Sequence, residues 1–137
     1  MVCGRRPWSR RGLVLGLVAV LSSGGPGLSQ GIAPDGWRYG DPAVLQGLDK
    51  VTARISTFEA PIGRSVRFGT LRIVVRACYK RPPEEPPESA AFMEVHEMRP
   101  NESPAKMFVG WMFASSPALS ALEHAVYDVW VIDCTVR

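Results

Sequence analysis

The sequence predicts a mainly β fold: a small, single-domain antiparallel sandwich or barrel with one short helix near residues 117–124. Three observations lead to this fold class. Several short runs alternate apolar and polar residues, two further runs are apolar on both faces, and turns rich in glycine and proline separate them. Successive side chains of a strand point to opposite faces of a sheet, so a period of two is typical of half-buried strands. About six short strands with such turns are typical of a sandwich or a barrel.

The alternation is clearest between residues 51 and 79. In "VTARIS", the apolar residues alternate with polar ones. The longer run "GTLRIVVRACY" has apolar or aromatic residues at every second position, and these are Leu71, Ile73, Val75, Ala77 and Tyr79. We therefore expect these side chains to share one face of a strand.

Two later runs, "KMFVGWMF" and "VYDVWVIDC", are apolar on both faces, as central strands of a two-layered or closed sheet are. Trp111 and Phe113 in the first run either fill the core or form an aromatic binding strip, and we expect core positions. The short helix follows in "SSPALSALEH". Pro117 stands at its first position, where no N–H is needed, and an apolar stripe with Leu119 and Leu122 should cap one end of the sheet.

Residues 1–29 are typical of a cleaved signal peptide. A basic segment with Arg5, Arg6, Arg10 and Arg11 precedes the apolar run Leu13–Leu21, and small residues follow. As a helix this run would rise roughly 14 Å. The hydrocarbon core of a bilayer is about 30 Å thick, so we expect no stable membrane span after cleavage. The adjacent arginines leave the export route open between the general secretory and the twin-arginine pathways.

Loss of the signal would change the charge of the chain. The full sequence has 16 Lys and Arg residues against 13 Asp and Glu residues, a net charge of +3. Without the four arginines of the signal, 12 basic residues stand against 13 acidic ones, a net charge of −1. A nucleic-acid partner requires a basic excess, so we expect none. The remaining chain divides into an irregular N-terminal arm, residues 30–44, and a single β-rich domain, residues 45–137.

The segment between two predicted strands, "KRPPEEPPES", is a candidate binding surface. Its residues are Pro82, Pro83, Glu84, Glu85, Pro86, Pro87 and Glu88. Proline favours an extended polyproline II conformation, and the glutamates keep the loop solvated. One interpretation is a P-x-x-P ligand for an aromatic groove, but the pattern first indicates a stiff connector within one domain.

Few residue types suited to catalysis are present. The sequence has two histidines and carries no nucleophile elbow, phosphate-binding loop or dinucleotide fingerprint. The main alternative function, a small periplasmic hydrolase, would use Ser115 or Ser116 with His124 and Asp128. We favour a non-enzymatic binding or scaffolding domain over this hydrolase.

Metal ligands are equally few. Glu94 and His96 share one strand face and, with His124, form the best candidate set. Their spacing along the chain is not that of a zinc site. We therefore expect no bound metal and no cofactor.

The cysteines predict a disulfide. Once the signal is removed, Cys78 and Cys134 remain as an even pair in an exported chain. Each ends an apolar run, so we expect them at the same rim of neighbouring strands. Two separate buried thiols are the alternative, and a Cα separation of about 4.4–6.8 Å would favour the bond.

From "LQGLDKVTARISTFEAPIG" onward, the sequence resembles a bacterial family of secreted proteins known as domain of unknown function 2155. The segments "FGTLRIVVRACYKRPPEEPPESAAF" and "GWMFASSPALSALEHAVYDVWVIDC" carry the resemblance, which covers residues 45–134. It implies no particular activity or catalytic residue, but it implies an envelope protein of a Gram-negative bacterium. With the export signal and the lack of a catalytic set, it indicates a periplasmic or secreted domain that binds or scaffolds another envelope protein.

Overall fold

The computed structural model describes Gly4 and residues 35–120, 122 and 124–137. Apart from Gly4, the predicted signal peptide lies outside the described residues. Among the helices in the described part of the chain, none has the length and apolar character that a membrane crossing requires.

Two antiparallel sheets confirm the predicted mainly β fold. The strands are β1 (Arg38–Tyr39), β2 (Ala43–Asp49), β3 (Arg54–Ala60), β4 (Ser65–Phe68), β5 (Leu71–Lys80), β6 (Ser89–Glu97), β7 (Ala105–Phe113) and β8 (Tyr127–Cys134). The large sheet has the order β1-β5-β6-β7, with β4 also paired to β5, and the small sheet has the order β3-β2-β8. Across the described residues the two sheets pack as a sandwich and do not close into a barrel.

The core lies between the inner faces of the two sheets. Leu45, Val129 and Val131 from the small sheet pack in one cluster with Ile73 and Met93 from the large sheet. These apolar residues are at most 2% exposed. Burial of their side chains is the main force that holds the two layers together.

One glycine is required by this packing. Phe68 of β4 stacks on Phe58 of β3, with ring centroids 5.5 Å apart, and its ring covers Gly47 of β2. A Cβ atom at Gly47 would lie 2.6 Å from the Phe68 ring, so any larger residue would displace the ring. The missing side chain therefore allows the edge of the large sheet to approach the small one.

The predicted alternation along β5 is interrupted by a β-bulge. The pairing of β5 with β6 shifts between Val75 and Ala77, so Arg76 has no opposite residue. Beyond the bulge, Cys78 is buried on the inner face, whereas Ala77 and Tyr79 turn to the outer face with their partners Phe92 and Ala90. The expectation that all five alternate residues share one face was wrong for Ala77 and Tyr79, because one extra residue reverses the sides that follow.

The predicted helix is present in a shorter form. A 3-10 helix spans Pro117–Ser120, and the described residues Leu122 and His124 lie outside it. Pro117 is its first residue, as predicted. The predicted apolar stripe is divided: Leu119 is 81% exposed, whereas Leu122 is 4% exposed and belongs to the core. The helix ends after one turn. Beyond it, the chain places Leu122 in the core and then enters β8 at Tyr127.

Part of the segment expected to be an irregular arm is regular. Within residues 35–44, β1 pairs with the end of β5, with Tyr39 opposite Tyr79. The strand β2 begins at Ala43, two residues before the expected start of the domain. The arm thus adds a short strand to the edge of the large sheet.

Candidate functional site

The outer face of the large sheet carries an aromatic cluster, made of Tyr39, Tyr79, Phe92, Trp111 and Phe113. The Tyr39 and Tyr79 ring centroids are 6.0 Å apart, those of Tyr79 and Trp111 6.2 Å, and those of Phe92 and Trp111 5.5 Å. Phe113 stands opposite Ala90, in the same row as Tyr79. Tyr39, Trp111 and Phe113 are 53%, 40% and 38% exposed. Large apolar side chains grouped on one open face are typical of an interaction surface.

The expectation that Trp111 and Phe113 fill the core was wrong. Met112 between them is buried and faces the small sheet, so its two neighbours point outward. The sequence run is apolar on both faces, but among the described residues only one face of β7 contacts another layer. The bulge at Arg76 adds Tyr79 to the outward cluster, and hydrophobic periodicity alone contains no sign of that bulge.

Arginines border the aromatic cluster. Arg81 follows Tyr79 by two residues, and Trp37 precedes Tyr39 by two residues. The Arg81 guanidinium lies 5.4 Å from the centroid of the Trp37 ring, which is a cation–π distance. Arg76, exposed on the bulge, forms an ion pair with Glu94 at 3.2 Å. The cluster is thus an apolar centre with a charged rim, the arrangement found in protein–protein interfaces.

At the other end of this face, four basic side chains form one row across the sheet. We call Arg67, Arg72, His96 and Lys106 the basic row, because Arg67 stands opposite Arg72, Arg72 opposite His96, and His96 opposite Lys106. This row was not predicted from the sequence. Part of it could have been predicted from the short turn in the sequence. The two-residue turn at Gly69 and Thr70 places Phe68 opposite Leu71, and it therefore also places Arg67 opposite Arg72.

The predicted disulfide is present. Cys78 and Cys134 are bonded, with Cα atoms 5.7 Å apart, and both are fully buried. The expectation that they lie on neighbouring strands of one sheet was wrong, because β5 belongs to the large sheet and β8 to the small one. The bond therefore joins the two layers of the sandwich.

The proline-rich segment is a loop that joins the paired strands β5 and β6. The Arg81 N–H donates to the Glu88 carbonyl at 3.0 Å and thereby closes the base of the loop. Residues 83–87 are exposed. The loop thus connects neighbouring strands of one sheet, and its role as a binding surface stays a prediction.

Glu88 ties the end of this loop to the turn after β7. Its carboxylate accepts hydrogen bonds from the backbone N–H groups of Ser89 and Ser115, both at 3.0 Å, and from the Ser115 hydroxyl. Burial alone would raise the pKa of Glu88, but these hydrogen bonds outweigh it and hold the pKa below its usual value of 4.5. The folded protein therefore favours the ionised form of Glu88.

We expect this carboxylate to make stability depend on pH. A group with a lowered pKa in the folded state contributes stability above its unfolded pKa, and this contribution is lost as the pH falls through the folded pKa. Glu88→Gln should therefore destabilise the protein at pH 7, and the difference from wild type should shrink as the pH falls below 4.5, the usual pKa of this carboxyl group. Urea unfolding at several pH values would measure it. Glu84→Gln, in the exposed part of the same loop, is the control, and an equal effect of both variants would contradict the assignment.

The residues of the hydrolase alternative are not brought together. The Ser115 hydroxyl donates to Glu88, and Asp128 forms an ion pair with Lys50 at 2.9 Å. The His124 Nδ1 accepts hydrogen bonds from the backbone N–H groups of residues 126 and 127, so its Nε2 carries the proton and donates to Glu97 at 3.1 Å. Among the described residues, no serine hydroxyl bonds to this imidazole. A triad needs a free ring nitrogen as a base, and His124 offers none here.

The candidate metal ligands are also separated. Glu94 and His96 lie on the outer face of β6, whereas His124 bonds to Glu97, which is buried on the inner side. Hydrogen bonds from His124 and Arg99 hold the pKa of Glu97 below its usual value. Among the described residues, no three side chains of the metal-ligating types form a group.

The chain matches the model of one bacterial protein family. A family model described as an uncharacterized protein conserved in bacteria (DUF2155) matches residues 43–134. The chain belongs to this family. Uncharacterized protein RP359 of Rickettsia prowazekii (strain Madrid E) is 31% identical over 87 residues, which are 64% of this chain and 56% of the Rickettsia protein. The matched part is thus little more than half of that relative. No solved structure matches the chain.

Proposed function

We propose that the protein is an exported, non-enzymatic domain of the Gram-negative cell envelope, which binds another envelope protein through the aromatic cluster. The observation that carries this proposal is the exposure of Tyr39, Trp111 and Phe113 on one open sheet face. An apolar surface of this kind is unfavourable in water unless a partner covers it.

The composition of the cluster favours a protein as the partner. Trp, Tyr and Arg are the residues that most often dominate binding energy at protein interfaces. The cluster contains the first two, and Arg76 and Arg81 stand at its border. The partner is therefore expected to present apolar side chains to the cluster and acidic side chains to these arginines.

A binding role is also favoured over hydrolysis by the bonding of the polar residues. Each of the three candidate residues has a structural role. The turn after β7 is held by Ser115, and the start of β8 is held by His124. The third residue, Asp128, forms an ion pair with Lys50. Removal of a proton from a serine by His124 would require that its bonds to the chain be broken first.

Export is supported by two independent features. The basic and apolar segments before residue 29 have the order of a secretory signal. The bonded pair Cys78 and Cys134 suits an oxidising compartment such as the periplasm, because cytosolic thiols are kept reduced.

The test compares capture of partners by three tagged proteins in solubilised envelopes. Trp111→Ser should weaken the binding of a specifically enriched partner by about tenfold or more, because an aromatic residue at an interface centre contributes about 1.4 kcal/mol or more. Ile55→Ser, an exposed apolar residue on the small sheet, should leave it unchanged. Equal capture by all three proteins, or no enrichment by wild type, would contradict the binding proposal. The mass of the recovered protein tests export separately, since an intact Met1 would exclude cleavage.

A further inference from the structure

The basic row places the charged side chains of Arg67 and Arg72 directly opposite each other, and it continues through His96 to Lys106. Directly opposite residues of an antiparallel pair have Cβ atoms about 4.5–5.5 Å apart, and like charges at this distance destabilise the pair. Among the described strand residues of the large sheet, Glu94 is the only carboxylate on the outer face. It is bonded to Arg76, and the charges of His96 and Lys106 also help to lower its pKa, so it offsets part of the charge at the Lys106 end of the row. The repulsion between Arg67 and Arg72 remains, because neither forms an ion pair among the described residues.

Two nitrogen atoms of the row also lack partners. The Nε of Arg72 and the Nδ1 of His96 are buried, and neither has a hydrogen-bond partner among the described residues. These two side chains stand directly opposite each other on β5 and β6. Buried polar atoms are nearly always paired, so two unpaired atoms on facing residues require an explanation, and a bound ion or water is a common one.

We propose that the basic row is a binding site for a phosphate group. An anion placed over Arg72 and His96, with Arg67 and Lys106 at the two ends, would replace repulsion by attraction along the whole row. A modest rotation of the half-buried Arg72 and His96 side chains would expose the two unpaired nitrogens to its oxygens. Charge-assisted hydrogen bonds of this type are stronger than neutral ones.

Phosphate fits the row better than a carboxylate does. A phosphate carries a charge of about −1.5 to −2 and three strong acceptor oxygens. A carboxylate has one charge and two oxygens, which would leave part of the row without an acceptor. The guanidinium groups of Arg67 and Arg72 present planar forks that suit phosphate oxygens, and Lys106 adds a point charge.

The site is separate from the aromatic cluster. His96 lies four positions from Phe92 along β6, which corresponds to about 13 Å. The row would thus bind its phosphate whether or not a protein covers the cluster. The phosphate can belong to a soluble compound or to the headgroup of an anionic lipid, and the two sources require different measurements.

The first measurement uses inorganic phosphate as the probe. We expect it to raise the unfolding temperature of the wild-type domain more than sodium chloride of equal ionic strength does, because chloride only screens the row. It should also shift the ring resonances of His96. Arg72→Gln combined with Lys106→Gln should weaken phosphate binding by about tenfold or more. Arg54→Gln, an exposed arginine of β3 in the small sheet, should bind phosphate like wild type.

The second measurement uses vesicles of phosphatidylglycerol and phosphatidylcholine in co-sedimentation. Binding to phosphatidylglycerol vesicles that the double variant loses, without a response to inorganic phosphate, would assign the phosphate to a lipid headgroup. A response to inorganic phosphate without vesicle binding would assign it to a soluble compound. The proposal is overturned if neither probe binds, or if the double variant binds either probe as well as Arg54→Gln does. The unfolding temperature of the double variant without phosphate, obtained in the same experiment, shows whether it is folded.

Discussion

Replacement of both Cys78 and Cys134 by alanine is expected to lower the free energy of unfolding by about 4 kcal/mol. The bond closes a loop with a sequence separation of 56 residues, so it removes many conformations from the unfolded chain. It also joins β5 in one layer to β8 in the other, and so it holds the C-terminal strand, which pairs with β2, against the large sheet. A domain of this size is typically stable by about 5–15 kcal/mol, so the variant should be close to the limit of folding.

Thermal and urea unfolding of the oxidised wild type and the Ala/Ala variant would measure this loss. For a domain of about 100 residues, the melting temperature should fall by roughly 15–30 °C. The reducing agent dithiothreitol provides the control: it should destabilise the wild type during unfolding and leave the variant unaffected. In the folded state the bond should resist reduction, since both cysteines are fully buried. A loss below about 1 kcal/mol would mean that the unfolded chain is not restricted by the bond.

The existence of this disulfide could be predicted from the sequence, but its geometry could not. An even cysteine count after the expected signal, together with the expected oxidising compartment, was sufficient to predict the pairing. The position between the sheets depends on two β-bulges: the pairing of β5 with β6 shifts after Val75, and that of β8 with β2 shifts at Ile132. Strict alternation from Val75 and from Val131 would have pointed both cysteines outward. A bulge leaves no mark in a hydrophobic pattern, because it changes the register of pairing and not the residue types.

The fold class was predictable because strand periodicity is a local property. The inner and outer faces of β7 were not predictable, because a run that is apolar on both faces does not indicate which face packs against the second sheet. Trp111 and Phe113 were assigned to the core for this reason, although Met112 is the buried residue. The helix was overestimated for a different reason: Leu119 and Leu122 have helical spacing, but only Leu122 packs in the core.

Most of the candidate site was beyond sequence analysis because it is assembled by pairing across strands. The basic row joins residues from four strands, and only its Arg67–Arg72 part follows from a short turn. The hydrolase residues show the opposite case. Ser115, His124 and Asp128 are close in sequence, but each is bonded to a different part of the fold. Proximity along a β chain is a poor guide to contact, whereas cross-strand register is a good one.

The assignment of inner and outer faces leads to the second large effect. Val95→Ala is expected to lower the free energy of unfolding by about 2–3 kcal/mol, because it removes two buried methyl groups and leaves a cavity between the sheets. Val95 lies on the inner face of β6 and is 0% exposed. Val109, on the outer face of the adjacent β7, is 44% exposed and lies beside the aromatic cluster. Val109→Ala should therefore change stability by only about 0.5 kcal/mol.

Urea unfolding of the two alanine variants tests which face of the large sheet is buried against the core, because the two substitutions delete the same atoms on opposite faces. The slope of the free energy against urea should stay the same in both, so the midpoints alone report the difference. A loss for Val109→Ala as large as that for Val95→Ala would mean that another layer covers the outer face. In that case the aromatic cluster and the basic row would both be buried, and neither could bind a partner from solution. A small loss for Val109→Ala would leave the outer face free, because the core would then hold the sandwich together without it.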